Sequence, residues 1–154
     1  MRGVWNNFGG FALVAALSAG VVVVALAQDP AIDKRTSVMK SSGGHMKALS
    51  GVAKGEAPFS ADTVKAAEGL VANSKLTLAI FKDGAPGKGS AAKAEIWSDW
   101  AGFEKSAKDY EAATPQLVAA AQSNDPAKLG DALKAVGGVC GGCHKPFKAE
   151  KKTE

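Results

Sequence analysis

The sequence predicts an all-α fold, an antiparallel up-and-down four-helix bundle, on three observations. Apolar residues recur at three- and four-residue steps over four separate stretches, as on one face of a helix. Clusters of Gly and Pro divide those stretches. The period-two alternation of β-branched residues that marks strands is scarce, and Ala, Lys, Leu and Val dominate the chain beyond its first segment. Short connections and one long loop then favour antiparallel neighbours, an arrangement that holds ligands between facing helices.

Residues 1–27 precede the bundle. Arg2 is followed by an apolar run from Phe11 to Ala27 that closes on Ala25, Leu26 and Ala27, the small-x-small pattern of a signal peptidase site, before polar Gln28 and Asp29. We read this segment as an export signal cleaved after Ala27, which sends the mature chain to the periplasm. The other reading is a retained membrane anchor, since about 17 apolar residues is the lower limit for a span. Residues 28–154 then form one domain with a single core. The formal charge of +4 falls by one when Arg2 leaves, too mild a balance for nucleic-acid binding. Lys145, Lys148, Lys151 and Lys152 cluster at the end, either as a solvated helix terminus or as a docking patch for an acidic partner.

The first helix is expected from about residue 31 to 54. Asp29 caps it, Pro30 suits its first turn, Ile32, Met39, Met46 and Val52 recur near helical spacing, and Gly55 and Pro58 end it. The second begins at Ser60 and buries Val64, Ala67, Val71, Ser74, Leu78 and Phe81. "KDGAPGKGSAAK" is the long loop. The third starts near Ala94 and places Trp97, Trp100, Phe103, Ala107 and Tyr110 on one face, with a kink or a restart capped by Thr114 at Pro115. Asp125 and Pro126 open the fourth, whose buried stripe is Leu129, Leu133, Val136, Cys140, Cys143 and Phe147.

"GGVCGGCHKPFK" holds both cysteines and one of the two histidines of the chain. An oxidising compartment would turn free thiols into a disulfide, so these two are expected to be claimed by other chemistry. Three chemistries use Cys140, Cys143 and His144. A thiol redox pair needs a helix start that lowers the thiol pKa, and this one sits near a helix end. Zinc needs four ligands, and adjacent Cys143 and His144 point about 100° apart. Covalent c-type haem fits: each thiol adds to one vinyl group, the two lie about one turn apart, and the imidazole reaches the iron. Gly137, Gly138, Gly141 and Gly142 would let the macrocycle approach the backbone.

A C-x-x-C-H at the end of a four-helix pattern resembles class II cytochrome c, the cytochrome c′ family. "CGGCHKPFK" resembles the family ending, with Phe147 and Lys148 as its aromatic and basic residues. "AEIWSDWAGF" is similar to the start of its third helix, with Ala94 where a proline is common. "IFKDGAPGKG" resembles its loop and "KRTSVMKSSGGHMKALSGVAKGEAPF" its first helix. The resemblance implies one haem c held through Cys140 and Cys143, with His144 as proximal ligand and Arg35 paired to a haem propionate. It also implies that the residue four beyond Arg35 lies over the distal face of the iron.

That residue is Met39. A thioether can complete the coordination sphere, as in the low-spin methionine-ligated branch of the family, and the chemistry implied is single-electron transfer. Methionine on an apolar stripe is otherwise a gap-filler in a core. The expectation is therefore a periplasmic monohaem electron carrier ligated by His144 and Met39, with no enzymatic activity. The alternative is a five-coordinate high-spin cytochrome c′ that binds nitric oxide or carbon monoxide. Met46 is read as core or subunit contact, His45 as solvated or near a dimer surface, and Phe81, Trp97, Phe103 and Phe147 as haem walls or bundle core. Expected partners are redox proteins and, by family habit, a second copy of the chain. Nucleic acid is excluded, and so is the membrane once the signal is removed.

Overall fold

The computed structural model describes residues 29–82 and 84–150. The expected export signal and the Lys151–Lys152 pair lie outside the described residues. Six helical segments make up four arms: α1 (Pro30–Ala53), α2 (Ala61–Lys82), the three-piece arm α3 (Glu95–Ser98), α4 (Trp100–Ala113) and α5 (Pro115–Gln122), and α6 (Pro126–Phe147). The helices form an up-and-down bundle in which α1 lies along α2, α4 along α6, and α5 against both α2 and α6. Among the described residues there is no strand beyond one antiparallel bridge, Ala92 to Lys148, and no helix is long and apolar enough to cross a membrane.

Local chemistry fixes the ends. The Asp29 carboxylate accepts from the Ala31 amide at 2.8 Å and Pro30 fills the first turn of α1. Gly55, with φ of 76°, closes that helix as the Gly55 and Glu56 amides donate to Val52 and Gly51 carbonyls. At α2 the capping is reciprocal: the Asp62 amide donates to Ser60 Oγ and the Ser60 amide to Thr63 Oγ1. Asp125 accepts from both Ala127 and Lys128 amides at the head of α6.

Three expectations are corrected here. The buried face of α2 is rotated, with Thr63, Ala66, Ala67, Leu70, Ser74, Thr77, Ile80 and Phe81 inside while Val64, Val71 and Leu78 are half-buried. Ser74 and Thr77 can be inside because their hydroxyls donate to the Val71 and Asn73 carbonyls. The third arm is not continuous: Asp99 leaves helical geometry at φ −121° and ψ 60°, and its carboxylate caps α4 by accepting from the Gly102 amide. The restart at Pro115 occurs, but Thr114 makes no side-chain cap. Its fully buried hydroxyl instead lies 3.0 Å from Ser74 Oγ, binding the third arm to α2.

Two packed clusters result. One holds Leu49, Leu70, Leu117, Leu129 and Val136. The other holds Ile80, Phe81, Ile96, Phe103 and Phe147, with Phe103 edge-on to Phe147 at 5.5 Å. Cys140 packs against the first and Cys143 against the second. The site lies where they meet.

Candidate haem site

The last turns of α6 carry Cys140, Cys143 and His144 into a cleft of about 210 Å³ between α6 and α1. Met39, Ser42, Gly43 and Met46 of α1 form the facing wall, and Thr77, Ala107 and Tyr110 form the floor. The sequence pattern did not select Ser42, Thr77, Ser106 or Tyr110 as lining residues, because hydroxyl side chains on a helix carry little periodic signal. Tyr110, which had no evident partner in the sequence, donates to Ser42 Oγ at 3.3 Å. That oxygen also accepts from Asn73 Nδ2 at 3.1 Å and donates to the Val38 carbonyl at 3.0 Å, so its hydrogen-bonding capacity is filled. A broader depression of about 480 Å³, lined by Gln116, Ala119, Ser123, Lys128 and Asp131 among others, lies apart from these groups.

Neither cysteine is in a disulfide and both are half-buried. Burial pushes the Cys140 thiol up, and burial reinforced by the charge of Cys140 does the same to Cys143. Thiols held protonated are poor redox nucleophiles, which removes the physical basis for a thioredoxin-type reading. Partial desolvation against the cleft, in a residue that is exposed on its outer side, followed by the nearby Lys148 charge, lowers the pKa of His144 and favours the neutral imidazole. A neutral ring keeps a lone pair for a metal. No group of three His, Cys, Asp or Glu side chains converges on a common point among the described residues, so a zinc site is not built.

Arg35 does not line this cleft. It is 4% exposed, with its guanidinium carbon 5.4 Å from the Phe81 ring centroid and 5.3 Å from that of Trp97. Nη1 donates to the Ala85 carbonyl at 3.3 Å, while the buried Nε has no partner among the described residues. A buried cation with an unfilled donor suits a carboxylate-bearing ligand. The residues present therefore fit a haem: two thiols, a neutral imidazole, apolar walls and a cation with donor capacity to spare.

Other expectations change. Phe81, Trp97, Phe103 and Phe147 do not line the cleft; they form the cluster beneath Arg35, and Trp97 Nε1 donates to the Phe81 carbonyl at 2.9 Å. Gly137, Gly138, Gly141 and Gly142 are all exposed, and none borders the cleft. His45 is neither solvated nor in the site: half-buried, it lies 3.3 Å from Ser41 Oγ and fits against Gly69 of α2, where a Cβ would fall 2.8 Å from Cε1 and closer still to Nε2. Met46, expected in the core or at a subunit contact, packs on the first cluster and also lines the cleft.

A helical bundle whose final helix presents C-x-x-C-H to an apolar cleft defines a c-type cytochrome of the bundle class. The comparisons then narrow the class. The chain matches the family described as Cytochrome C' over residues 30–148. It is 39% identical to the cytochrome c' of Pararhodospirillum photometricum over 118 residues, 76% of this chain and 94% of that one. Two structures of cytochrome c prime variants from Alcaligenes xylosoxidans are also similar. One, ferrous with bound NO, has a TM-score of 0.69 at 34% identity, covering 79% of this chain and 94% of that chain. The other, with bound carbon monoxide, has a TM-score of 0.70 at 32% identity and covers 78% and 94%. The chain belongs to the cytochrome c′ family, whose members carry one covalently attached haem c.

These relatives overturn the expectation of an electron carrier ligated by Met39. Several solved neighbours are cytochromes c′ with NO or CO bound, and the low-spin methionine-ligated branch is not supported. The structure supplies a physical counterpart. Met39 is half-buried and packs on the cluster of Phe81, Phe103 and Phe147, an environment that accounts for a flexible apolar side chain without a metal bond.

Proposed function

We propose that this protein is a five-coordinate, high-spin cytochrome c′ that binds nitric oxide or carbon monoxide, a binding protein and not an enzyme. The observation that carries the reading is the composition of the α1 wall. Met39, Ser42, Gly43 and Met46 face the cleft without an imidazole, amine or carboxylate, so the weakly binding thioethers are the sole soft donors of that wall, and the α1 histidine, His45, is turned away against Gly69. The NO and CO complexes of the Alcaligenes proteins favour the same chemistry.

Bound haem supplies the iron to which a gas can coordinate. The chain's own residues do the rest. Cys140 and Cys143 would hold the macrocycle through thioethers, and neutral His144 would offer its lone pair to the iron. Arg35 would pair with a haem carboxylate through its spare donor, with Phe81 and Trp97 against the guanidinium. Met39 and Met46 keep the opposite wall apolar, so an uncharged diatomic is favoured there over ions. Reading residues 1–27 as a leader puts this role in the periplasm.

Visible spectra of the haem-loaded protein, oxidised and reduced, with and without carbon monoxide, test the proposal. Broad high-spin bands that shift on adding the gas, in the parent and in Met39→Leu alike, are expected. A sharp low-spin α band that resists the gas and is lost in Met39→Leu would overturn it.

A further inference from the structure

We infer that Gly43 is the portal residue of the cleft and sets the rate at which a small gas enters and leaves it. The inference rests on the gas-binding reading above. The α1 residues of the wall fall at steps of three and four, so their side chains share a face. Met39, Ser42 and Met46 are half-buried there, whereas Gly43 is exposed. On the facing wall Val139, Cys140 and Cys143 are half-buried and His144 is exposed. Thr77, Ala107 and Tyr110 beneath are buried. The α1 rim of the mouth therefore lies at Gly43, across the cleft from His144.

A side chain at residue 43 would stand in that mouth. A Cβ built there meets nothing within 4 Å, so no packing requires the glycine. A glycine inside a helix costs roughly 0.5–1 kcal/mol relative to alanine, and here that cost keeps the opening clear. Gly44 provides the internal comparison. It is equally exposed and equally free of neighbours, but it does not line the cleft.

A gate differs from a binding contact in its kinetic signature. An obstruction in the passage raises the barrier in both directions and leaves the affinity unchanged. The test uses the ferrous haem protein, with carbon monoxide association followed by flash photolysis and dissociation by displacement with nitric oxide. Gly43→Leu should slow both rates by about tenfold, each tenfold being 1.36 kcal/mol of barrier. Gly43→Ala should slow both less, and Gly44→Leu should match the parent. Absorption spectra should be unchanged in all three, and their thermal midpoints should not fall below the parent's. If Gly43→Leu attaches haem poorly, the smaller Gly43→Ala effect decides the matter. Rates for both Gly43 variants equal to those of Gly44→Leu would overturn the inference, as would a loss of affinity from the association rate alone. A parent that binds no carbon monoxide would overturn the functional reading and this inference with it, an outcome visible before any variant is made.

Discussion

Replacing Arg35 with Met asks whether the buried guanidinium is a liability or one half of a pair. The substitution keeps an unbranched stem against Phe81 and Trp97, whose centroids lie 5.4 and 5.3 Å from the guanidinium carbon. Cation–π contacts of roughly 1 kcal/mol each are lost, and sulfur–aromatic contacts of about 1 kcal/mol each replace them on the same two rings. These nearly cancel, so the sign of the result reports on the charge. Among the described residues the guanidinium has one hydrogen bond, to Ala85, and a bare Nε. Left so, its removal would be neutral or stabilising. If a haem carboxylate completes it, the substitution strands that carboxylate, and breaking a buried pair costs about 3–5 kcal/mol. The expected outcome for the ferric haem protein is a loss of about 3 kcal/mol in urea unfolding, or about 12 °C in thermal midpoint at roughly 4 °C per kcal/mol. An R35M protein as stable as the parent, or more so, would refute the pairing.

Other outcomes follow from the helix contacts. Gly130→Ala, where a Cβ meets nothing within 4 Å, should stabilise by roughly 0.8–1 kcal/mol, whereas Gly69→Ala should lose that gain because it evicts His45; adding His45→Ala should restore it, and a thermal-melt cycle without coupling would count against the notch. Asp125→Ala removes the acceptor for two α6 amides and should cost about 1 kcal/mol by the same melts. Burial raises the Tyr110 phenol above its ordinary 10.0, opposed by the Ser42 hydrogen bond and aided by Cys140. The folded state thus holds this proton more tightly than the unfolded chain, so its contribution to stability is present below pH 10 and is lost as pH rises through the raised value. Since the chain has one tyrosine, absorbance near the phenolate band should titrate above 10 and fall back toward it on unfolding.

Much of this was legible in the sequence where the chemistry is local. Helix heads at Asp29, Ser60 and Asp125 depend on a side chain two or three residues from the amides it caps. The C-x-x-C-H spacing is set by the covalent chemistry it serves. What could not be read turns on polar side chains that bond nearby backbone, a choice the apolar period does not report. Asp99 breaks the third arm because its carboxylate prefers the Gly102 amide, a choice that helical periodicity around Trp97 and Trp100 conceals. The buried face of α2 takes in Thr77 because its hydroxyl is satisfied by the Asn73 carbonyl, which an apolar stripe does not register. Met39 is a separate case. A thioether looks the same in a sequence whether it ligates or packs, and only its neighbours in the second cluster and the relatives of the chain separate the two.

Residues 84–94 join the two walls of the cleft. Arg35 grips the segment from α1 at Ala85, and Ile32 presses on Gly87 so closely that a Cβ there would lie 2.5 Å from Cδ1. From the other side the Lys93 amide donates to Phe147 and the Ala149 amide to Ala91, at 3.0 and 2.8 Å. The helices α1 and α6 are thus pinned at both ends of the cleft, by this segment beside Arg35 and by the packing of Leu49 with Leu129 and Val136 beyond Met46. Gly43, about 12 Å along α1 from Arg35 at 1.5 Å per residue, lies between the two pins. Lengthening the segment between Ala85 and Ala91 would slacken one pin alone, so the aperture would widen from the Arg35 end while the Leu49 end stayed shut.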